Sequence, residues 1–223
     1  MLTDHLLDAL AVLLPLDCPA CGAAVSRVPC APCARELAES AAMTRRSLGP
    51  PDDPLEVVTG APYAGVVRRL VLALKEEGRT AAVRPLASVL RPALSAALHG
   101  SPAPLIAPPG SYASRVRRGI DPVALLVAGA GGRVESSLRR TRTLRDQVGL
   151  GRVERRGNLD GAFRARRSLA GAPGVVLVDD IVTSGATLLE LRRAVRAAGA
   201  AVRGAVALAG TPLRSEPISG ASR

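Results

Sequence analysis

Aromatic side chains are almost missing from this chain of 223 residues, which has no Trp, two Tyr and one Phe. Tyr63, Tyr112 and Phe163 are the whole set. The core must therefore be built from Ala, Val and Leu, and stacking platforms for unpaired bases are scarce. Lysine is nearly missing too, since all but one of the 30 basic residues are Arg, the exception being Lys75. Against 19 acidic residues they give a formal net charge of +11. Such a surface attracts phosphate, on a small molecule or on nucleic acid. A GC-rich coding sequence would produce the same Arg, Ala and Gly excess.

Long uncharged apolar runs are also lacking. Leu2 to Leu16 is interrupted by Asp4, His5 and Asp8, has no positive charge before it, and is shorter than the roughly 20 residues of a spanning helix. Leu2, Leu6, Leu10, Leu13 and Leu14 recur at helical spacing, so a short amphipathic helix is expected, in a cytoplasmic protein without membrane insertion. No Walker A sequence occurs, which argues against an ATPase. Gly129, Gly131 and Gly132 lack the third glycine of a dinucleotide fingerprint and end a helix instead of opening one.

What remains is a globular composition, 48% hydrophobic, with 22 Gly and 18 Pro marking many turns. The length suits one medium domain plus a small appendage.

The four cysteines fall within sixteen residues as Cys18-Pro-Ala-Cys21 and Cys30-Ala-Pro-Cys33. Two Cys-x-x-Cys knuckles supply four thiolates, the closed tetrahedral set preferred by structural Zn²⁺, with no open position for chemistry. Gly22 and Pro29 suit the short return between the pairs. Two disulfides are the alternative, disfavoured in a reducing cytoplasm. A redox role needs a single pair on a thioredoxin-like scaffold, for which no pattern is present.

Gly49, Pro50, Pro51 and Pro54 mark residues 47–54 as a linker between an N-terminal element (1–46) and a second unit (55–210), followed by a polar tail (211–223). In the second unit Leu55 to Val58 suits a strand. Val66, Val67, Leu70, Val71 and Leu74 form a helical apolar face. Ala81 to Leu98 is a longer helix, kinked or broken at Pro85 and Pro92. Leu105 to Ala107 is a short apolar patch. Asp121-Pro122 offers an N-cap and first-turn proline to a helix over Val123 to Ala130. Val134 to Leu138 is a candidate strand. Residues 139–167 then carry ten Arg against Asp146, Glu154 and Asp160, without apolar periodicity. Strand Val175 to Val178, helix Leu188 to Ala198 closed by Gly199, and strand Ala201 to Leu208 read as a crossover in a parallel sheet.

The most informative segment is Val175 to Thr187. An apolar strand delivers Asp179 and Asp180 to its C-terminal end, and the small residues Thr183, Ser184, Gly185, Ala186 and Thr187 lead straight into a helix. That edge is where open α/β sheets bind ligands. Hydroxyls and free N–H groups at a helix N-terminus suit a phosphate dianion, and Gly185 lets the backbone approach it. The two carboxylates suit ribose hydroxyls or a hydrated Mg²⁺. An ordinary strand-to-helix turn in which Ser184 merely caps the helix is the plainer reading, and it leaves two adjacent acids unaccounted for.

Val175 to Thr187 resembles the PRPP-binding signature of type I phosphoribosyltransferases. The four-cysteine knuckle, the Tyr63 to Gly78 helix with Lys75, Arg117-Arg118-Gly119, Gln147, Arg156-x-Asn158 and Phe163 follow in the order seen in the ComF family of competence-associated phosphoribosyltransferase-like proteins. The sequence departs from that family's pattern at Ile120-Asp121-Pro122, where an aromatic-Asn-Gln is usual, and at Glu76, where an aromatic commonly follows the lysine.

The resemblance implies an α/β fold, a type I phosphoribosyltransferase-like parallel sheet flanked by helices, with a small N-terminal zinc-binding element. Asp179 and Asp180 would contact the ribose, and Thr183 to Thr187 the 5′-phosphate. A loop near Pro108 to Arg118, including Arg117 and Arg118, would hold pyrophosphate, and a mobile loop from Arg139 to Asn158 would cover the site. The implied reaction is displacement of pyrophosphate from Mg²⁺-bound PRPP by a nitrogen nucleophile whose identity is unreadable. No residue stands out as a general base, and His5 and His99 are distant from the signature. From another class, the chain is a non-catalytic PRPP sensor, or a module of DNA uptake meeting single-stranded DNA or DNA-uptake proteins. The charge favours that reading and the shortage of aromatics opposes it. A vestigial, inert site is the third alternative.

Overall fold

A computed structural model of the chain describes residues 16–110, 119–141, 159 and 161–211. The N-terminal amphipathic helix, Arg117, Arg118, Gln147, Arg156, Asn158 and the polar tail beyond Thr211 lie outside the described residues, as does most of the 139–158 loop. Leu16, the last residue of the N-terminal apolar run, begins a strand.

The fold is mixed α/β. Strands β1 (Leu16–Asp17) and β2 (Ala24–Val25) form a small antiparallel ribbon ahead of helix α1 (Ala31–Ser40). Strands β3 (Thr44–Leu48), β4 (Leu55–Pro62), β5 (Leu105–Ile106), β8 (Val175–Val182) and β9 (Val202–Gly210) form the main sheet, in the order β3-β4-β9-β8-β5. Strands β6 (Leu138–Arg140) and β7 (Phe163–Ala165) pair antiparallel as a separate ribbon. The helices are α2 (Gly65–Glu76), α3 (Val83–Leu98), α4 (Pro122–Gly129) and α5 (Ala186–Ala197).

The sheet is mixed, which corrects the expectation of a parallel one. β4, β9, β8 and β5 run parallel, but β3 pairs antiparallel with β4, from Thr44 opposite Thr59 to Leu48 opposite Leu55. Ser47 and Leu48, read as linker, lie in β3, and residues 49–54 form its hairpin connection. A connection that short permits only antiparallel pairing. The hairpin is tied to α5: Asp53 accepts from both terminal nitrogens of Arg196 at 2.6 and 3.0 Å, and the Asp53 carbonyl accepts from Arg192 at 2.8 Å.

Two apolar layers sandwich the sheet. On one side Val66, Leu70 and Leu74 of α2, Leu86 and Leu90 of α3, and Leu126 of α4 pack with Val176, Val178 and Val206. On the other, Leu188, Leu191 and Val195 of α5 and Phe163 of β7 pack with Val57, Val175, Leu177 and Ala205. Burial on both faces explains why β8 and β9 read as unbroken apolar runs.

Helix α3 is continuous. Pro85 sits in its first turn, where a missing N–H costs nothing, and Pro92 lies inside it. Asp121 caps α4 as its sequence predicts, accepting from the Ala124 N–H at 3.1 Å. Val134 makes only an isolated parallel bridge to Leu105, so the strand expected over 134–138 begins later, at Leu138. No helix among the described residues is long and apolar enough to cross a membrane.

Candidate functional site

Strand β8 carries Asp179 and Asp180 close to its C-terminal end, where alternation sends successive side chains to opposite faces. Asp180 meets the sheet face covered by α2. There Lys75 Nζ, in the last turn of α2, lies 2.7 Å from its carboxylate. The Asp180 N–H donates to Asp179 Oδ1 at 2.9 Å, which holds the two acids as a unit. Desolvation first, and the neighbouring Asp180 charge second, push the Asp179 carboxyl up to about 8, against the pull of the Asp180 N–H and Lys75. Asp179 is thus the member of the pair biased toward its protonated form.

Thr183 and Ser184 follow as a bend, and Gly185 is the N-cap of α5 with φ +77. That left-handed conformation favours glycine. A β-carbon at Gly185 would also run into Leu48 Cδ1, so β3 packs directly against the turn. The Ala186 N–H reaches Ser184 Oγ at 3.4 Å. Thr183 is exposed, and Ser184, Ala186 and Thr187 are half-buried. The sequence-predicted acids and turn thus share one sheet edge. Pro108 and Pro109, at the start of the segment expected to hold pyrophosphate, follow β5 at the same edge, whereas Arg117 and Arg118 lie outside the described residues.

The β6–β7 ribbon, from which the expected covering loop springs, is anchored beside this edge. Arg140 Nε donates to the Pro109 carbonyl at 2.9 Å and its guanidinium stacks 5.6 Å from the centre of the Phe163 ring. Buried Glu190 of α5 accepts the Phe163 N–H at 3.1 Å and binds Arg193 at 2.6 Å. Burial alone would raise the Glu190 carboxyl, but Arg193 and the Phe163 N–H overcome it and hold it below the ordinary range.

The cysteines form the second site. All four thiol sulfurs lie within 4.8 Å of one another, with Cys21 and Cys30 sulfurs 3.6 Å apart. A tetrahedral Zn²⁺ with sulfurs at about 2.3 Å spaces them about 3.8 Å apart, so the donor set fits that ion. Burial raises Cys18, yet N–H groups of Cys30, Ala20 and Cys21 bring it down to about 6, as a metal thiolate requires. Without a cation, burial and then the crowding of the other thiols push Cys33 up to about 12. Helix α1, which sequence reading overlooked, starts at this cluster, and its Glu36 accepts the Val66 N–H at 2.8 Å and pairs with Arg69 at 2.5 Å. Cys18, Cys33 and Leu37 join the same apolar layer as α2, so the cysteine element is docked onto the helix that carries Lys75.

A cleft of about 1170 Å³ lies at the opposite edge, lined by Leu105 at the start of β5, Pro173 before β8, and Arg133, Arg166 and Arg167. None of the acids or turn residues reaches it. Comparison of the sequence with protein-family models and with curated proteins returned no match.

Proposed function

We propose that the chain is a ComF-like member of the type I phosphoribosyltransferases that binds Mg·PRPP at the C-terminal edge of β8. The observation that carries this reading is the adjacency of the Asp179–Asp180 pair to a glycine-capped helix N-terminus on a central parallel strand. An acid pair followed by a phosphate-sized turn matches the two ends of a ribose 5-phosphate: vicinal hydroxyls and a dianion.

In this reading Asp179, carrying its proton, donates to one ribose hydroxyl, while the Lys75-paired Asp180 carboxylate accepts from the other. The turn 183–187 supplies N–H and O–H donors to the 5′-phosphate. Mg²⁺ accompanying PRPP offsets the charge of its pyrophosphate. As a nitrogen nucleophile forms its bond to the anomeric carbon, the bond to the pyrophosphate oxygen breaks and positive charge builds on the ribose. The Asp179–Asp180 pair stabilises that charge electrostatically.

Pyrophosphate release tests the transfer step. Protein supplied with Mg·PRPP and a panel of nitrogen bases should release pyrophosphate only with an acceptor present. PRPP bound without release across the panel assigns the site to sensing instead of transfer.

A further inference from the structure

Edge strand β3 carries a charged side chain that neither the acid pair nor the turn accounts for. Thr44, Arg46 and Leu48 alternate onto one face of β3, opposite Thr59, Val57 and Leu55 of β4. Leu48 packs against Gly185, so this face adjoins the start of α5. The Arg46 guanidinium is anchored at one nitrogen, Nη1, which donates to the Thr211 carbonyl at 3.1 Å. Thr211 is itself fixed, its N–H donating to the Val182 carbonyl at 3.0 Å.

The other two nitrogens, Nε and Nη2, are buried and have no hydrogen-bond partner among the described residues. These two N–H groups form one edge of the guanidinium and point the same way. That edge matches the paired oxygens of a carboxylate or phosphate in a bidentate bond. Desolvation lowers the Arg46 pKa, but an arginine stays charged. A buried charge with two unmet donors is costly, and an anion would offset that cost. Beside Arg46 lies a cleft of about 300 Å³ walled by Thr44, Thr59, Ala61, Pro62, Gly210 and Thr211, with no carboxylate on its wall among the described residues. Thr44 and Thr59 bring their hydroxyls within 2.7 Å of each other there. The volume suits one small group of a ligand and not a polymer.

We propose that Arg46 and this cleft form an oxyanion-binding site that takes a carboxylate or phosphate group through a bidentate pair of N–H···O bonds. No residue of 179–187 lines this cleft, so the proposal stands or falls separately from PRPP binding.

The test is NMR of the full chain labelled with ¹⁵N, following the Arg46 Nε–H signal, assigned by its loss in Arg46→Met. Inorganic phosphate and acetate are titrated at constant ionic strength against chloride. The signal should shift and saturate with phosphate or acetate and stay still with chloride; which anion saturates it identifies the group. Arg46→Lys, with no fork and followed through the backbone N–H signals of Thr44 and Thr211 at the cleft, should bind that anion at least tenfold more weakly, whereas Thr183→Val/Ser184→Ala should bind it as wild type does. Arg46→Met should melt no lower than wild type, because it removes two buried donors that have no hydrogen-bond partner among the described residues. An Nε–H signal unmoved by both anions, or an Arg46→Lys protein that binds as tightly as wild type, would overturn the proposal.

Discussion

Lys75 Nζ sits 2.7 Å from the Asp180 carboxylate and so joins the last turn of α2 to the C-terminal end of β8. Both groups are largely shielded, with side-chain exposures of 26% and 11%. Lys75→Met would leave Asp180 without its cation in a poorly solvated position. The expected cost at neutral pH is about 1–3 kcal/mol, with Lys75→Arg recovering part of it. Urea unfolding of the three proteins checks this, and an unchanged midpoint in Lys75→Met would show that the pair is energetically idle.

Asp179 gives stability a pH dependence of definite sign. Its carboxyl is raised from 3.8 to about 8 in the fold, so its contribution is fully present below pH 4 and is lost as pH rises through about 8. Asp179→Asn cannot ionise and should flatten that decline. The variant should be more stable than wild type at neutral pH, with the difference vanishing near pH 4. Melting temperatures from pH 4 to 8 provide the comparison.

Gly185→Ala combines a left-handed backbone with a clash against Leu48. The expected loss is about 1–3 kcal/mol of stability and, under the proposed function, a loss of PRPP affinity as well. Leu48→Ala in the same chain should relieve the clash but not the backbone strain, so a double-mutant cycle separates the two. Wild-type stability in Gly185→Ala would contradict the observed conformation.

Zinc should be present at one ion per chain, and Cys18→Ser should lower it. Because Glu36 caps α2 and Cys18 and Cys33 join its apolar layer, metal removal should loosen α2 as well as residues 18–33. Hydrogen exchange before and after chelation reads this directly. Protein purified without chelators yet lacking metal would refute the zinc site.

The segment from β8 to β9 was legible because every local signal agreed there. Unbroken apolar runs marked strands buried on both faces, small residues marked the turn, and Leu188, Leu191 and Val195 marked the helix face. Asp121-Pro122 located α4 for the same reason. Strand β3 was not legible. It is an edge strand whose Thr-Arg-Arg-Ser start looks like surface, and glycine and prolines after it serve a hairpin turn as well as they serve a linker. Helix α1 was hidden behind the cysteine spacing. The Lys75–Asp180 and Arg46–Thr211 contacts join residues far apart in the chain, and nothing in either local sequence specifies the partner. Lys75 was singled out in the sequence only as the one lysine and as part of the segment order that resembles the ComF pattern, and neither pointed to Asp180.

Calorimetric titration with Mg·PRPP, run on wild type and on Asp179→Asn/Asp180→Asn, tests the phosphoribosyl reading most directly. The double substitution keeps side-chain size while removing the acids, so the fold should survive. Wild type should bind with saturable heat, and the variant about ten- to a hundredfold more weakly, because the charged hydrogen bond of the Asp180 carboxylate is lost. No binding to wild type, or equal affinity in the folded double variant, would contradict the assignment of the β8 edge to PRPP.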